Sequence, residues 1–365
     1  MNDASFAMMV CAHGAEAAIK TQLRDGGWRL AFSRPGLVTA KHDRPNQAPP
    51  SGTFIRTAMT SLGQCRLPKP ADGELNRPDG NELLDQLVKI VDQHPMIRQR
   101  EGKPLEALHV FPRDRHPIGK FDFEPGVDEL SKMIADAVQL RLADRIVHES
   151  PNRIVEPWRD VLDVVLVAPD HWMVGMHRAL DVHGRWPGGV QPIAPKYKPI
   201  SRAYFKAAEA IAFAEFDLQA GDTAVEIGSA PGGACGFLLE QGLHVIGIDP
   251  AEMDPRITRH KRFRHLRARG GDLKRSIYAG ADWLLVDSNV RPDQTLTTVE
   301  NVVTHPTRTL RGAIITLKLG GYHQVAQIER WIQRIETWEP EEIRVKQLAR
   351  NKVEVCVAVR LRRPG

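Results

Sequence analysis

Apolar and polar positions alternate most regularly from Ser201 onward, where short apolar runs are separated by stretches with helical spacing. The apolar runs predict strands at 223–227, 244–248, 283–287, 312–317, 342–347 and 353–360. The last two are separated only by residues 349–352, so we expect them to form a terminal antiparallel pair. Strands that alternate with helices are typical of a mostly parallel, doubly wound sheet. We therefore predict a C-terminal Rossmann-like α/β domain over residues 191–365.

The N-terminal half shows a looser mixture of strand and helix patterns. Its first part predicts a strand at 7–11, a helix that ends near 23, and a strand pair at 29–33 and 37–41. Its second part predicts helices at 83–91 and 127–142 and strands at 107–111, 161–168 and 172–177. Proline-rich stretches at 67–81 and 187–199 predict a linker and a crossing segment. We therefore predict two smaller α+β modules ahead of the C-terminal domain, at 1–66 and 67–190.

A glycine-rich turn after the first C-terminal strand carries the strongest chemical signal. The turn consists of Gly228, Ser229, Ala230, Pro231, Gly232 and Gly233, and an apolar helix pattern follows it. Such a turn lets the backbone approach a nucleotide cofactor closely, while the next strand ends in Asp249, where these folds bind ribose hydroxyls. The proline departs from the G-x-G-x-x-G pattern of dinucleotide enzymes. That departure favours S-adenosylmethionine, which has no pyrophosphate.

Two further polar residues each follow a buried apolar run. Asp287 and Lys318 come at the ends of the fourth and fifth predicted strands, at the sheet edge where ligands bind in open α/β folds. A structural ion pair between them is the alternative interpretation. Asp272, at the end of a third predicted strand, is a candidate adenine contact, or else a turn or helix-cap residue.

Composition narrows the class of protein. The chain has 365 residues, of which 42% are hydrophobic and 26% charged, typical of a globular protein with more than one domain. No stretch reaches the roughly 18 to 20 apolar residues of a membrane span, and the N-terminus lacks a secretory pattern. The cysteines form no CxxC pair, so we expect neither disulfides nor a metal site: Cys11, Cys65, Cys235 and Cys356. A cytoplasmic location follows as an expectation.

Positive charge is concentrated in one stretch. The formal net charge is +5 and the isoelectric point is near 9.0. Arginines and lysines crowd residues 255–275: Arg256, Arg259, Lys261, Arg262, Arg264, Arg267, Arg269, Lys274 and Arg275. The stretch is either an ordinary solvated surface or a phosphate-binding rim beside the cofactor pocket.

Together these residues resemble the FtsJ-type 2′-O-ribose RNA methyltransferases, which share a Lys-Asp-Lys-Glu tetrad. The matching positions in order are Lys206, Asp287, Lys318 and Glu354. Within that family the chain is most similar to members that modify large-subunit (23S) ribosomal RNA and carry a THUMP-like domain before the catalytic one. The N-terminal half supports this only in layout, through the Cys11–Glu16 segment that leads into a helix. One departure is Ala234, where the family commonly has tryptophan.

The resemblance implies an S-adenosylmethionine-dependent transfer of a methyl group to a ribose hydroxyl of RNA. Neutral Lys318 would accept the hydroxyl proton, Asp287 would orient it, and Lys206 with Glu354 would place the ribose. The implied cofactor contacts are Ser201, Gly228, Ser229, Ala230, Pro231, Gly232, Gly233, Asp249, Asp272 and Asp287. The THUMP-like module would hold RNA, and three aromatic residues are candidates for stacking on bases or for packing: Trp172, Tyr197 and Tyr204.

Two alternatives remain at the level of sequence. The enzyme could act on transfer RNA, messenger RNA or a small molecule, or the chain could be a non-catalytic RNA-binding or ribosome-assembly factor on a methyltransferase scaffold. The sequence leaves open the methylated nucleotide, the choice between naked RNA and an assembling subunit, and the oligomeric state.

Overall fold

The computed structural model describes residues 5–68, 80–147, 150–306 and 308–362. It divides into two compact units, Met1–Pro192 and Ile193–Gly365. Most of the predicted linker at 67–81 lies outside the described residues. No helix among the described residues has the length and hydropathy of a membrane span.

The first unit is built on one seven-stranded sheet. Its strands are β1 (Ser5–Val10), β2 (Arg29–Arg34), β3 (Leu37–His42), β4 (Thr57–Arg66), β5 (Ala107–Pro112), β6 (Asp160–Ala168) and β7 (His171–Arg178). Their order is β2-β3-β1-β4-β7-β6-β5, and only β5 and β6 run parallel. The helices of this unit are α1 (Glu16–Asp25), α2 (Gly80–Gln93), α3 (Pro95–Arg98) and α4 (Glu129–Arg141).

Strand β4 has no counterpart among the predicted elements. Its pairing with β7 shifts register between Ser61 and Gly63, which breaks the alternation of apolar and polar positions that identifies a strand. Through that pairing the two predicted modules, 1–66 and 67–190, share a single sheet. The THUMP-like character of the second module stays a prediction.

A buried ion pair links two loops of the first unit. The Arg56 guanidinium donates to both carboxylate oxygens of Asp114, at 3.0 and 2.8 Å, and both side chains are almost fully buried. Arg56 also donates to the carbonyl of Cys11 at the end of β1. A bidentate pair of this kind fixes geometry as well as charge, so it holds the start of β4 against the loop after β5.

We expect Asp114→Ala to lower the free energy of unfolding by about 3–5 kcal/mol, because it leaves the Arg56 charge buried and unpaired. Chemical denaturation of the full chain measures the change. The control is Asp85→Ala, which removes the partner of half-exposed Arg141 and should cost less than about 1 kcal/mol. Equal losses of unfolding free energy in the two variants would contradict a special structural role for the buried Arg56–Asp114 pair.

The second unit contains another seven-stranded sheet, mostly parallel. Its strands are β8 (Thr223–Ile227), β9 (His244–Ile248), β10 (Phe263–Leu266), β11 (Trp283–Val286), β12 (Gly312–Lys318), β13 (Glu342–Lys346) and β14 (Glu354–Arg360). The order is β10-β9-β8-β11-β12-β14-β13, and β14 runs antiparallel to both of its neighbours. The helices are α5 (Ala203–Ala214), α6 (Gly233–Glu240), α7 (Pro255–Thr258), α8 (Pro292–Val303) and α9 (Gln327–Glu336). The predicted Rossmann-like fold is confirmed, including the terminal antiparallel pair.

This topology brings the ends of several strands to one edge. The parallel strands β8, β9, β11 and β12 all finish at the same edge of the sheet, and the strand order reverses between β8 and β11. Ligands bind at such a reversal point in open α/β sheets. Because β14 is antiparallel, it begins at the edge where β12 ends, and Glu354 is therefore the register partner of Lys318.

Candidate active site

Four charged side chains form a closed ring at this edge. The Lys206 Nζ lies 2.6 Å from an oxygen of Asp287 and 2.6 Å from an oxygen of Glu354. The Lys318 Nζ lies 2.7 Å from the other oxygen of Asp287 and 2.7 Å from the other oxygen of Glu354. Each carboxylate thus bridges both ammonium groups, and positive and negative groups alternate around the ring.

Each corner of the ring is supplied by a different element. Lys206 lies in the first turns of α5, Asp287 directly follows β11, Lys318 ends β12 and Glu354 begins β14. The backbone of Asp287 is held by a hydrogen bond from its N–H to the carbonyl of Ile227 in β8. The four residues that the resemblance predicted as a tetrad are therefore brought together in space.

The ring sets the ionisation of its members. Burial raises the pKa values of Asp287 and Glu354, but the nearby lysines outweigh this effect and hold both pKa values below the ordinary range. Burial lowers the pKa of Lys318, but the two carboxylates outweigh it and raise that pKa above its ordinary value of 10.5. Lys318 is thus protonated at neutral pH in this arrangement. The resemblance implies a neutral amine for the reaction itself, whereas in the ring as it stands the two carboxylate neighbours stabilise the cation.

The glycine-rich loop after β8 lies against the ring. Gly228 has a φ of 86°, and a Cβ atom there would lie 2.4 Å from the carbonyl oxygen of Asp287. A Cβ atom on Gly233 would lie 2.1 Å from the Oγ of Ser201 and 3.1 Å from its carbonyl oxygen, so the loop packs closely against Ser201. The loop therefore touches Asp287 on one side and Ser201, just before α5, on the other.

One residue of the loop, Ala230, contacts Asp249. One carboxylate oxygen of Asp249 accepts from the N–H of Ala230 at 3.2 Å, and the other accepts from the N–H of Ala251 at 2.8 Å. Ser229 is buried with its hydroxyl near the Sδ of Met253, whereas Pro231 is exposed. Helix α6 begins beside Gly232 without a side-chain cap, which leaves its first N–H groups available to a ligand. These two N–H groups hold the Asp249 carboxylate in place, and its remaining lone pairs can accept hydrogen bonds from a ligand.

Asp272 is located differently from the prediction. Strand β10 ends at Leu266, and Asp272 lies in a later 3₁₀ turn, Gly270–Asp272, rather than at a strand end. Its side chain is exposed and makes no hydrogen bond to the described residues. The structure leaves it free to face a ligand but does not orient it.

Glu226 is a residue of this site that the sequence analysis did not select. It lies in β8 just before the glycine loop, is fully buried, and accepts a hydrogen bond from the Sγ of Cys235 at 2.8 Å. Burial raises the pKa of Glu226 to about 8, and the negative charges of Asp287 and Asp249 add to the effect. The available signal was a single carboxylate inside an otherwise apolar strand.

A small cavity of about 30 Å³ separates α5 from the sheet under the ring. Its lining includes Lys206, Glu226 and Asp287 together with small side chains of α5 and α6. Ala234, the position where the family commonly has tryptophan, is one of these small residues. The alanine leaves space between α5 and the sheet.

Of the three aromatic candidates for base stacking, only one is exposed. Trp172 and Tyr204 are buried, and the Tyr204 hydroxyl donates to Glu240, so both are packing residues. Tyr197 is 76% exposed and lies between Lys196 and Lys198. Packing inside the fold therefore does not explain why an aromatic side chain stands at position 197.

The basic stretch is only partly neutralised. Arg256 pairs with Asp254 and also donates to the carbonyl of Lys198, which places the Tyr197 segment beside α7. Several cations of the stretch are exposed and make no ion pair with the described residues: Arg259, Lys261, Arg264, Arg269 and Lys274. They extend from the end of α7 along the edge strand β10 to the turn around residues 270–278. In the described part of the chain, no cluster of three or more potential ligands is arranged to hold a metal ion.

Comparison with known proteins finds similarity to one family over part of this unit. Residues 199–306 match the family model of FtsJ-like methyltransferases, a range that includes Lys206 and Asp287. The chain is 26% identical over 222 residues to "Ribosomal RNA large subunit methyltransferase M" of Azoarcus sp. (strain BH72), covering 58% of this chain and 59% of the relative. It is 28% identical over 188 residues to the protein of that name from Thauera aminoaromatica, covering 49% and 50%. The chain therefore spans about half to three fifths of the length of these curated relatives.

Similarity to solved structures is weak. A possible methylase from Clostridium difficile 630 covers 98% of this chain and is covered to 98%, with a TM-score of 0.34 and 10% sequence identity. A score this low supports no conclusion about fold or function.

The ring's ionisation predicts a pH-dependent contribution to stability. The lowered pKa values of Asp287 and Glu354 mean that their pairing stabilises the fold above their ordinary values of 3.8 and 4.5 and is lost as the pH falls through the lowered values. We expect the difference in unfolding free energy between wild type and Lys318→Met to be constant near neutral pH and to narrow in acid. Urea denaturation across the pH range measures it. The control is Lys352→Met at an exposed lysine, for which the difference from wild type should not narrow in acid. If the difference in unfolding free energy between wild type and Lys318→Met did not change with pH, the closed ring would be contradicted.

Proposed function

Because residues 199–306 match the FtsJ-like methyltransferase family, we propose that this protein is an S-adenosylmethionine-dependent RNA 2′-O-ribose methyltransferase. The observation that carries the proposal is the closed Lys206-Asp287-Lys318-Glu354 ring beside a glycine-rich loop. The names of the curated relatives support large-subunit ribosomal RNA as the substrate. A purely structural scaffold would not need two lysines and two carboxylates at a ligand-binding edge.

The residues around the loop fit the cofactor. The backbone of Gly228–Gly233 would hold its methionine part, the carboxylate of Asp249 its ribose hydroxyls, and Asp272 its adenine. Ser201 contacts Gly233 and would support the loop from the α5 side. When bound, S-adenosylmethionine would supply the methyl group that the ribose 2′ oxygen receives.

The ring would act on the ribose hydroxyl. Lys318 accepts the 2′-hydroxyl proton at its Nζ, Asp287 orients that amine, and Lys206 with Glu354 holds the ribose in place. Lys318 must first lose its own proton, which its raised pKa opposes. A second positive charge brought close to the ring lowers the pKa of Lys318 by like-charge repulsion, so arrival of a cationic cofactor favours the base form.

The exposed cations and Tyr197 support RNA as the partner. A positively charged surface with an exposed aromatic ring suits a single RNA strand, because phosphates bind the cations and a base stacks on the ring. The Tyr197 segment is tied to α7 by the Lys198–Arg256 contact, and Ile257 of α7 lies against Gly232 of the loop. RNA on this surface would lie beside the cofactor. RNA binding by the N-terminal unit and a cytoplasmic location remain predictions.

The function is tested in a strain that lacks the gene. We expect mass spectrometry to find one ribose methyl group missing from its large-subunit ribosomal RNA, restored by the wild-type protein and not by Lys318→Ala. The Lys318→Ala protein should still bind S-adenosylhomocysteine within a few-fold of wild type in calorimetry, because Lys318 serves proton transfer and not the cofactor.

Lys318→Arg is the matched control, since arginine keeps the positive charge but does not release its proton at physiological pH. It should also be inactive. A missing methyl group in transfer RNA would change the substrate, unaltered RNA in the strain would refute the activity, and full restoration by Lys318→Ala would remove Lys318 as the base.

The RNA surface is tested by Arg259→Ala combined with Lys261→Ala. We expect weaker binding of a ribosomal RNA fragment and a salt dependence whose slope falls by about 0.7 for each lost phosphate contact. Fluorescence anisotropy at several salt concentrations measures both. The control double variant, Arg330→Ala with Arg362→Ala, removes the same charge from other exposed positions and should leave the slope unchanged. Identical losses in both variants would indicate an effect of net charge alone.

A further inference from the structure

Helix α5 carries one carboxylate, Glu209, three residues after Lys206. Glu209 is fully buried, and its two oxygens accept hydrogen bonds from the N–H groups of Ala349 and Arg350, each at 3.0 Å. These N–H groups belong to the turn that joins β13 to β14. One carboxylate thus binds two successive backbone amides of a single turn. Such charge-assisted bonds are stronger than bonds between neutral groups.

That turn leads directly to the ring. Asn351, almost fully buried, accepts the N–H of Leu348 at 2.9 Å, and its own N–H donates to the carbonyl of Leu348. Its side-chain amide then donates to the Oε1 of Glu354 at 3.3 Å. The same Glu354 oxygen lies 2.6 Å from Lys206. Glu209 is therefore connected to a corner of the ring through hydrogen bonds at both ends of the connection and the covalent backbone of residues 348–351 between them.

We infer that Glu209 is a positioning residue for methyl transfer, an inference that rests on the proposed function. Helix α5 fixes two corners of the ring: Lys206 directly, and Glu354 through Glu209 and the turn. The Glu354 carboxylate bridges both lysines and helps to set the position of the Lys318 amine. If the turn were less firmly held, Glu354 would shift, and the Lys318 amine would shift with it. Small displacements of a reacting group lower rates steeply.

The charges around the ring allow this role to be separated from a merely structural one. Lys318 faces Asp287 after β11 and Glu354 on β14, and both raise its pKa. If Glu354 is less firmly held, the pKa of Lys318 falls and the rate begins to rise at a lower pH. A variant that is only less stable would lose rate in proportion to its unfolded fraction. The pH limb of its rate, meaning the pH range over which the rate rises, would stay where it is in the wild type.

The test is Glu209→Gln, whose amide has one accepting oxygen and turns an NH₂ group toward the second backbone N–H. We expect kcat to fall about 10- to 100-fold, with the affinity for S-adenosylhomocysteine changed less than about threefold. The pH limb of kcat should move to lower pH. The control is Glu240→Gln on α6, which keeps an acceptor for the Tyr204 hydroxyl and does not contact the turn.

A second measurement does not depend on activity. The pKa of Glu354, below its ordinary value of 4.5 in the intact ring, should rise in Glu209→Gln, as followed by ¹³C NMR of its carboxyl carbon in the ligand-free protein. An unchanged Glu354 pKa, or an unmoved pH limb with kcat near wild type, overturns the inference. If the wild-type protein transfers no methyl group, the proposed function fails, and the NMR titration alone decides whether Glu209 positions the ring.

Discussion

The register between β12 and β14 is the constraint on which the site depends. Because these strands are antiparallel and in that register, Lys318 and Glu354 face each other at the edge where β11 delivers Asp287. The ring closes only when α5 also brings Lys206 to the same edge. A one-residue slip of β14 would turn Glu354 to the opposite face of the sheet and leave two partly buried lysines short of a carboxylate. The terminal strand pair is thus part of the site and more than an edge of the fold.

A closed ring of alternating charges orders its four side chains but leaves little of Lys318 in the unprotonated form that can accept a proton. Each group has two partners of opposite charge, so none is buried alone, which is the condition under which partly buried ions are tolerated. The same partners hold Lys318 in its charged form. For the proposed reaction, Lys318 must lose the proton that these partners stabilise, and a cationic cofactor bound beside the ring would favour that loss.

Close packing holds the glycine loop, the proposed cofactor-binding segment, next to the ring. Gly228 approaches the backbone of Asp287, and Gly233 approaches Ser201 just before α5. The contact at Gly228 needs the absence of a side chain, because the atom it meets belongs to the backbone. The loop that would bind the cofactor is therefore in contact with the elements that carry Asp287 and Lys206, and a displacement of the loop would reach both.

The sequence by itself determined the glycine loop and every strand of the second unit except β10, and it placed Asp287 and Lys318 at strand ends, because apolar runs and a glycine-rich turn are local patterns. Lys206 and Glu354 were identified only through the resemblance to a family. The sequence did not determine β4, whose shifted register hides its periodicity, nor the buried Glu226, which stands alone in an apolar run. It also suggested a neutral Lys318. Only the tertiary structure decided that two carboxylates far apart in the sequence surround this lysine. It also decided that Glu209 binds the turn before β14, and that Tyr197 is exposed while Tyr204 is packed. The physical reason is that ionisation and exposure depend on neighbours brought together by strand register and helix packing, whereas local patterns report only what each segment does along its own length.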